Sequence, residues 1–495
     1  MRLVEVLRGD GYLVTGAAAA TDLNITGVTC DSREVRPGYL FAAIPGTQTD
    51  GRRFIPDAIL RGAVAVLGPP GTEPDNDHPD ISVVTDEDPR RLYALMAARL
   101  FDRQPRTIVA ITGTSGKTST THFLRQIWNS AGLMAGAMGT LGLQATAADD
   151  GNLLPGDDKA LTTPDAANLH RQLSELTKLG VEHLAIEASS HGLHQRRLDG
   201  VRVSAAAFTN LSHDHLDYHE NEAAYLEAKL RLFSDLLIDD GTAVINADQP
   251  YTEAIVAVCR ERGLPVILSG EQGDRVRLIQ RLPETSGQRL SIKIDGAVHQ
   301  ILLPLVGDFQ ASNALCAAAL ALATGTNAET IVTAIESLQG VPGRMQLIGE
   351  NTSGGTIYVD YAHKPDALRR ALLALRPHAT GKLITVFGCG GDRDVEKRPE
   401  MGRIANELAD DIYVTDDNPR GEDPAMIRRT ILQACPGAIE IGDRRDAITQ
   451  ALARLGDGDI LMVAGKGHET GQIVGGQVLP FDDAEVVRDV IGGGA

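Results

Sequence analysis

At 495 residues the chain is too long for one hydrophobic core, and 43% hydrophobic with 23% charged side chains is the balance of a soluble multidomain protein. A formal net charge of −19, from 66 acidic against 47 basic residues, argues against nucleic acid or an anionic membrane surface as partner. Small anions are not excluded, because local arginines and backbone N–H groups suffice for them.

The five cysteines (Cys30, Cys259, Cys316, Cys389, Cys435) are scattered without a C-x-x-C pair, which predicts a reducing, cytoplasmic setting and no disulfide framework. The start, "MRLVEVLRGDGYLV", lacks a signal-peptide pattern. The first block runs to about Pro105, with short strands expected at Ile25–Thr29, Val64–Leu67 and Ser82–Thr85, a surface loop in "GPPGTEPDNDHPD" and a helix in "PRRLYALMAARLFDRQP". From 106 to 342 the strands "TIVAI", "EHLAIEAS", "VSAAAFTN" and "GTAVINAD" alternate with helical segments, which predicts a largely parallel sheet covered on both faces. The apolar stretch Ala314–Ala323 is too short to span a bilayer and reads as a buried helix. Gly340, Pro342 and Gly343 punctuate the chain. From 343 to 495 the alternation resumes in "GTIYVDYAH", "KLITVFGCGGDRD", "DIYVTDDNPR", "AIEIGDRRDA" and "DILMVAGKGHE". Each of these strands ends in polar residues, mostly with glycine, and open α/β sheets bind ligands beyond the carboxyl ends of their strands. The expected fold is α/β in three domains: a smaller α/β domain (1–105), a central P-loop-type domain (106–342) and a Rossmann-like domain (343–495).

Between strand and helix lies "TGTSGKTST". Gly113-Thr114-Ser115-Gly116-Lys117-Thr118 keeps the core of a phosphate loop, although Ile111 occupies the position of its first glycine. Such a turn points successive backbone N–H groups inward, and the following helix offers its positive end to phosphate. Lys117 adds a charge and the Thr118 hydroxyl can reach magnesium. The helix carries Phe123, Leu124, Ile127 and Trp128 on one side and stops at Gly132. Glu187, ending a strand, is a carboxylate suited to magnesium. "FTNLSHDHLDYH" mixes histidines with aspartates, a composition open to zinc or, beside phosphates, to magnesium with an imidazole ligand. Lys229, in the helical "NEAAYLEAKLRLF", reads by composition alone as a solvated charge.

Together, "TGTSGKTST", "EASSHGL", "HDHLDYH" with "YLEAK", "GRM", "VDYAHKPDAL", "FGCGGDRD", "TDDNPR" and "AGKGHE" occur in the order of the Mur ligases, and the chain resembles that family over nearly its whole length. These are the ATP-dependent amino-acid-adding enzymes of peptidoglycan precursor synthesis. The resemblance is greatest to the branch that adds meso-2,6-diaminopimelate to a UDP-N-acetylmuramoyl-L-alanyl-D-glutamate precursor. It implies that Gly113, Thr114, Ser115, Gly116, Lys117, Thr118 and Ser119 serve ATP, and that Arg344, Asp360 and His363 reach the nucleotide when the domains close. It implies magnesium on Thr118, Glu187, His215 and Lys229, the lysine that the family carbamylates with CO2 to make an oxygen ligand. Lys117, Lys229 and His215 are the implied catalytic groups. For the UDP substrate the matching positions are Cys30, Ser32, Thr47, Gln48, Thr49, Thr162, Thr163, Ser189, Gln195 and Arg197. Ser115 stands where the loop usually has Asn, and Leu161 where relatives can have Asn, so the latter contact is not carried over. A monomer acting on small molecules, with no nucleic-acid or membrane partner, is expected.

Diaminopimelate differs from lysine by one carboxylate, so selection between them calls for an arginine. Arg420 of "DDNPR", in a turn stiffened by Pro419, is that candidate. Arg393, Asp417, Asn418, the Gly465 backbone and Glu469 complete the implied amino-acid site. The implied reaction forms an acyl phosphate on the glutamyl γ-carboxylate, which the amine then displaces. A lysine-adding homologue, a folylpolyglutamate-type synthetase and a P-loop ATPase acting as a switch are the alternatives.

Overall fold

The structure, a computed structural model, describes residues 1–9, 12–15, 23–46, 49–73, 78, 81–145, 161–212, 218–284 and 287–492. One compact unit comprises Met1–Asp274 with Cys316–Asn327, and a second comprises Arg275–Leu315 with Ala328–Ala495.

In the first unit, strands Gly27–Thr29, Tyr39–Ala42, Ala63–Gly68 and Ser82–Asp86 run parallel, and Tyr12–Thr15 adds an antiparallel edge. Helix Pro89–Leu100 packs on this sheet because Leu92, Tyr93, Met96 and Ala97 recur at helical spacing and are buried. Asp88 caps it, accepting from the Arg91 N–H.

The larger sheet of this unit has Thr107–Thr112 at its centre, between His183–Glu187 and Val203–Phe208. Ala135–Gly139 lies beyond the first, and Leu237–Asn246 then Val266–Gly270 beyond the second, all parallel. Gly142–Ala145 turns back antiparallel at the edge. Ile108, Val109, Ala110 and Ile111 are fully buried, as a strand covered on both faces requires. Parallel alignment of the three central strands brings the loops after Thr112, Glu187 and Phe208 to one edge of the sheet.

In the second unit, Val276–Glu284, Gly287–Ile294 and Ala297–Leu303 form an antiparallel ladder. The other sheet runs Gln346–Glu350, Thr356–Asp360, Ile460–Ala464, Leu383–Phe387, Asp411–Val414, Ile439–Glu440, parallel apart from the first pair. Alternate residues enter two cores: Tyr358, Met462, Phe387 and Val414 on one face, and Ile357, Val359, Ile384, Val386 and Val463 on the other. Strand Ile460–Ala464 is inserted between Thr356–Asp360 and Leu383–Phe387, so the order of strands reverses there. The loops leaving these carboxyl ends gather at that switch point. Among the described residues no helix is long and apolar enough to cross a membrane.

Candidate active site

In the first unit the chain leaves strand Thr107–Thr112 through Gly113 (φ 145°) and Gly116 (φ 83°), conformations that side chains resist. A Cβ at Gly113 would collide with Thr209 Oγ1. The turn is braced from the loop after Phe208: Thr114 N donates to Asn210 O and Ser115 N to Asn210 Oδ1, both at 2.9 Å. Asn210 Nδ2 and Thr209 Oγ1 donate back to Ser115 O at 3.0 and 2.6 Å. No side chain caps helix Lys117–Ser130, and its positive end opens on the turn. Lys117 Nζ folds back onto Gly113 O and Thr114 O, both at 2.9 Å, at the mouth of the turn. Thr118 and Ser119 are buried in the first helical turn.

Lys229 corrects the reading from composition: it is 1% exposed, not solvated. Helix Glu222–Arg231 turns Tyr225, Ala228 and Lys229 inward as one stripe. Lys229 Nζ donates to Gly113 O at 2.9 Å and lies 4.4 Å over the Tyr225 ring. The Tyr225 hydroxyl meets Thr114 Oγ1 at 3.1 Å, so one tyrosine braces both the lysine and the loop.

Glu187, 1% exposed, accepts from Thr140 N at 2.8 Å and Thr140 Oγ1 at 3.2 Å. Around it the predicted substrate residues converge. Thr162 Oγ1 meets Thr140 Oγ1 at 3.2 Å, and Thr163 Oγ1 donates to Glu187 O at 2.8 Å and meets Ser189 Oγ at 3.0 Å. Arg197 donates to Thr163 O and Gln195 Oε1, both at 2.7 Å. Burial pulls the Arg197 guanidinium down from its usual range, opposed by Asp165 and Cys30. Exposed Cys30 has its thiol beside the Tyr93 hydroxyl, which donates to Asp165 at 3.1 Å. Burial, then Cys30 and Asp165, raise Tyr93 well above its ordinary value. Ser32, in the turn Ser32–Glu34, and exposed Thr49, whose carbonyl accepts from Gly46 N at 2.9 Å, stand apart from this hydrogen-bonded group. Thr47, Gln48 and His215 lie outside the described residues.

In the second unit two groups adjoin at Tyr361. On one side, Arg344 lies 4.6 Å from the Tyr361 ring. Asp360 Oδ2 accepts from Met345 N at 2.6 Å, and His363 Nδ1 pairs with Tyr361 O at 2.8 Å. Burial raises Asp360, opposed by Arg344, and burial lowers His363. His468 is held down at about 4 by burial, with Arg344 and His363 adding to the effect. Arg344 Nε and His468 Nδ1 are buried with no hydrogen-bond partner among the described residues, polar atoms that a ligand would satisfy.

On the other side, Asn418 Nδ2 donates to Glu469 Oε2 at 2.9 Å. Arg420 sits at φ 53°, its N–H donating to Ile473 O at 2.9 Å and its carbonyl accepting from Gly475 N at 2.8 Å. The hairpin Gly471–Val474 with Gln477–Pro480 therefore clamps this turn. Arg420 Nη1 donates to Gly391 O at 2.9 Å. A Cβ at Gly465 would lie 2.6 Å from Asp417 Oδ2, so glycine permits that approach. Arg393 is exposed and makes none of these contacts. Beneath the turn, fully buried Arg444 pairs with Asp483 through two 2.7 Å bonds and donates to Ala464 O at 2.9 Å. Burial lowers this guanidinium, but the charge and hydrogen bonds of Asp483 together with the Asp417 and Glu469 charges outweigh it, leaving it raised.

Thr209, Asn210, Tyr225, Tyr93, Asp165 and Tyr361 were not among the residues expected from the sequence. Thr209 and Asn210, at the polar end of the strand "VSAAAFTN", Tyr361, in "GTIYVDYAH", and Tyr225, on the helix face of Lys229, had a local signal; Tyr93 and Asp165 had none.

Three family models match the chain in order: Mur ligase family, catalytic domain over 24–100; Mur ligase middle domain over 111–321; and Mur ligase, glutamate ligase domain over 343–467. The chain belongs to the Mur ligase family. It is 52% identical to the UDP-N-acetylmuramoyl-L-alanyl-D-glutamate–2,6-diaminopimelate ligase of Caulobacter vibrioides, over 96% of this chain and 97% of that one. It is 50% identical to the ligase of the same name from Mesorhizobium japonicum, over 97% of each. A solved structure of a ligase so named superimposes with a TM-score of 0.73 at 31% identity, covering 100% of this chain and 99% of that one. A D-alanyl-D-alanyl-adding ligase from Acinetobacter baumannii, with a TM-score of 0.63 at 18% identity over 94% and 93%, shares the fold.

Proposed function

We propose that the chain is an ATP-dependent ligase that adds meso-2,6-diaminopimelate to UDP-N-acetylmuramoyl-L-alanyl-D-glutamate, a step in peptidoglycan precursor synthesis. Residues 1–105 would hold the UDP end, 106–342 the phosphates, and 343–495 the acceptor. The enzyme would work as a cytoplasmic monomer.

In this reading the loop Gly113–Ser119 receives the ATP phosphates on its backbone amides, with Lys117 balancing their charge. Arg344, Asp360 and His363 contact the nucleotide. Thr162, Thr163, Ser189, Gln195 and Arg197 bind the precursor's peptide arm, and Cys30, Ser32, Thr47, Gln48 and Thr49 its uridine end. Magnesium, held by Thr118, Glu187, His215 and Lys229 as its carbamate, would neutralise charge on the transferring phosphoryl group. The buried Glu187 carboxylate at a strand end suits a hard cation, and the unmodified Lys229 ammonium does not, which is why the carbamate belongs to the proposal.

The glutamyl γ-carboxylate attacks the γ-phosphorus as the bond to ADP breaks. The neutral acceptor amine then attacks the acyl carbon, phosphate leaves, and the nitrogen loses a proton. Arg393, Asp417, Asn418, Pro419, Arg420, Gly465 and Glu469 orient that amine by its distal end. The observation that carries the choice of acceptor is the Arg420 turn, held from its backbone on both sides with its guanidinium anchored at Gly391 O. A fixed guanidinium rewards a carboxylate that lysine lacks. Phosphate release with ATP, magnesium and the UDP-dipeptide, run in parallel with diaminopimelate and with lysine, tests the reading. Release without either acceptor, or equal rates with both, would refute it.

A further inference from the structure

We infer that Lys466 is a positioning residue for the acceptor amino acid, fixing the separation between the acidic and basic groups that meet the acceptor's distal zwitterion. The inference rests on the ligase reading above.

Lys466 is fully buried, and its ammonium has three N–H groups. They find three acceptors: Gly471 O at 2.5 Å, Asn418 Oδ1 at 3.3 Å and Glu469 Oε2 at 3.3 Å. Each belongs to a different part of the site. Gly471 is the root of the hairpin, Asn418 lies in the turn before Arg420, and Glu469 follows the last strand of the sheet. Asn418 relays the constraint: its Oδ1 also accepts from Ile473 N at 2.9 Å, and its Nδ2 donates to Glu469 Oε2 at 2.9 Å. The amide orientation is therefore dictated by its donors. Ile473 in turn holds the Arg420 N–H at 2.9 Å. One unbroken path runs from Glu469 through Lys466 and Asn418 to Ile473 and Arg420.

The path has a chemical consequence. Glu469 Oε2 is committed to two protein donors, while among the described residues no donor reaches Oε1. Glu469 is part-exposed, with 34% of its side chain accessible, so Oε1 is the oxygen available to an ammonium. Arg420 offers the matching guanidinium. The distal end of diaminopimelate carries an ammonium and a carboxylate on one carbon, so an acid and a base must be held at one spacing to meet both. A buried ammonium is strongly penalised by desolvation, and an apolar side chain would fill the volume with less penalty. What Lys466 holds explains why it is there.

The test measures KM for diaminopimelate, ATP and the UDP-dipeptide in the full-length wild type, Lys466→Met, Glu469→Ala and the double variant. Lys466→Met should raise KM for diaminopimelate at least tenfold and leave the other two KM values within twofold. If Lys466 acts through Glu469, the double variant should be no worse than Glu469→Ala. Lys466→Gln keeps an amide donor in the pocket, serves if the methionine variant is insoluble, and must show the same selective rise to a smaller degree. An unchanged KM for diaminopimelate, a parallel rise in all three, or multiplicative losses in the double variant would each overturn the inference. Acceptor-independent phosphate release by the wild type would instead overturn the ligase reading itself.

Discussion

In the proposed reading, replacing Arg420 by alanine removes a recognition group while leaving its turn in place. Arginine and alanine bear the same left-handed strain at φ 53°, and the turn is tied through its backbone to Ile473 and Gly475. Nη1 is engaged by Gly391 O at 2.9 Å, which leaves Nη2 and Nε as a fork for a carboxylate. Two charge-assisted hydrogen bonds at a half-buried site contribute about 2–4 kcal/mol, or about 30- to 1000-fold in kcat/KM for diaminopimelate. Lysine lacks that carboxylate, so its kcat/KM should hardly change and the preference should collapse by the same factor. The assay is phosphate release with each acceptor at saturating ATP and UDP-dipeptide. A preference unchanged within a factor of about three, or equal losses for both acceptors, would refute the reasoning. Arg420→Gly separates strain from recognition: it should lose the same selectivity yet be up to about 1 kcal/mol more stable than the alanine variant.

Gly113→Ala should raise KM for ATP at least about tenfold, because the new Cβ strikes Thr209 Oγ1 at the brace of the phosphate loop. Adding Thr209→Ala should recover only part of this, since the φ of 145° is unchanged; full recovery in nucleotide titrations would contradict it. His170 is fully buried, with Nε2 at 3.0 Å from Asp199 O and Nδ1 unpartnered, and burial pulls it from 6.5 to about 4. The unfolded chain therefore takes up a proton that the folded one refuses, so stability is complete above about pH 6.5 and falls toward pH 4, by about 2 kcal/mol at pH 5. His170→Gln cannot titrate and should flatten the urea-denaturation profile between pH 6.5 and 5 by about that amount; a parallel profile would count against the assignment. Arg444→Met strands the Asp483 carboxylate at zero exposure and should cost about 3–5 kcal/mol, most of it regained in Arg444→Met/Asp483→Leu, as chemical denaturation of the full chain can check.

Legibility in the sequence followed how local each signal is. The phosphate loop and the strands Thr356–Asp360, Leu383–Phe387 and Ile460–Ala464 announce themselves because β-branched runs meet glycine and polar residues within a few positions. The ladder Val276–Leu303 does not. Its outward face carries Arg277, Arg289 and Lys293, and Pro283 lies within a strand, so the period of two is masked. The Gly471–Pro480 hairpin exposes Val478 and Leu479 and has no apolar face to read; its importance lies in its bonds to Arg420. Lys229 illustrates a signal present but overruled by composition, for Tyr225, Ala228 and Lys229 share one helix face. Tyr93 and Asp165 are brought together only by tertiary structure, and no spacing rule could have paired them.

The same locality explains how a chain of net charge −19 can serve two strongly anionic substrates. At physiological ionic strength charges more than about 8 Å away are largely screened, so a phosphate responds to its immediate donors and not to the total. In the proposed reading these are the positive end of a helix that no side chain caps and Lys117. At the proposed acceptor end, Asp417 and Glu469 are acidic, yet buried Arg444 and Lys466 lie among them, and the Arg420 guanidinium is anchored at Gly391 O. Because the two buried cations are already matched by carboxylates and carbonyls, the pole that the proposed reading leaves for a ligand is a pair: one glutamate oxygen and one guanidinium fork. A mono-charged amine satisfies half of that pair and leaves the other desolvated without a partner, so discrimination against lysine follows from the mismatch as much as from the attraction.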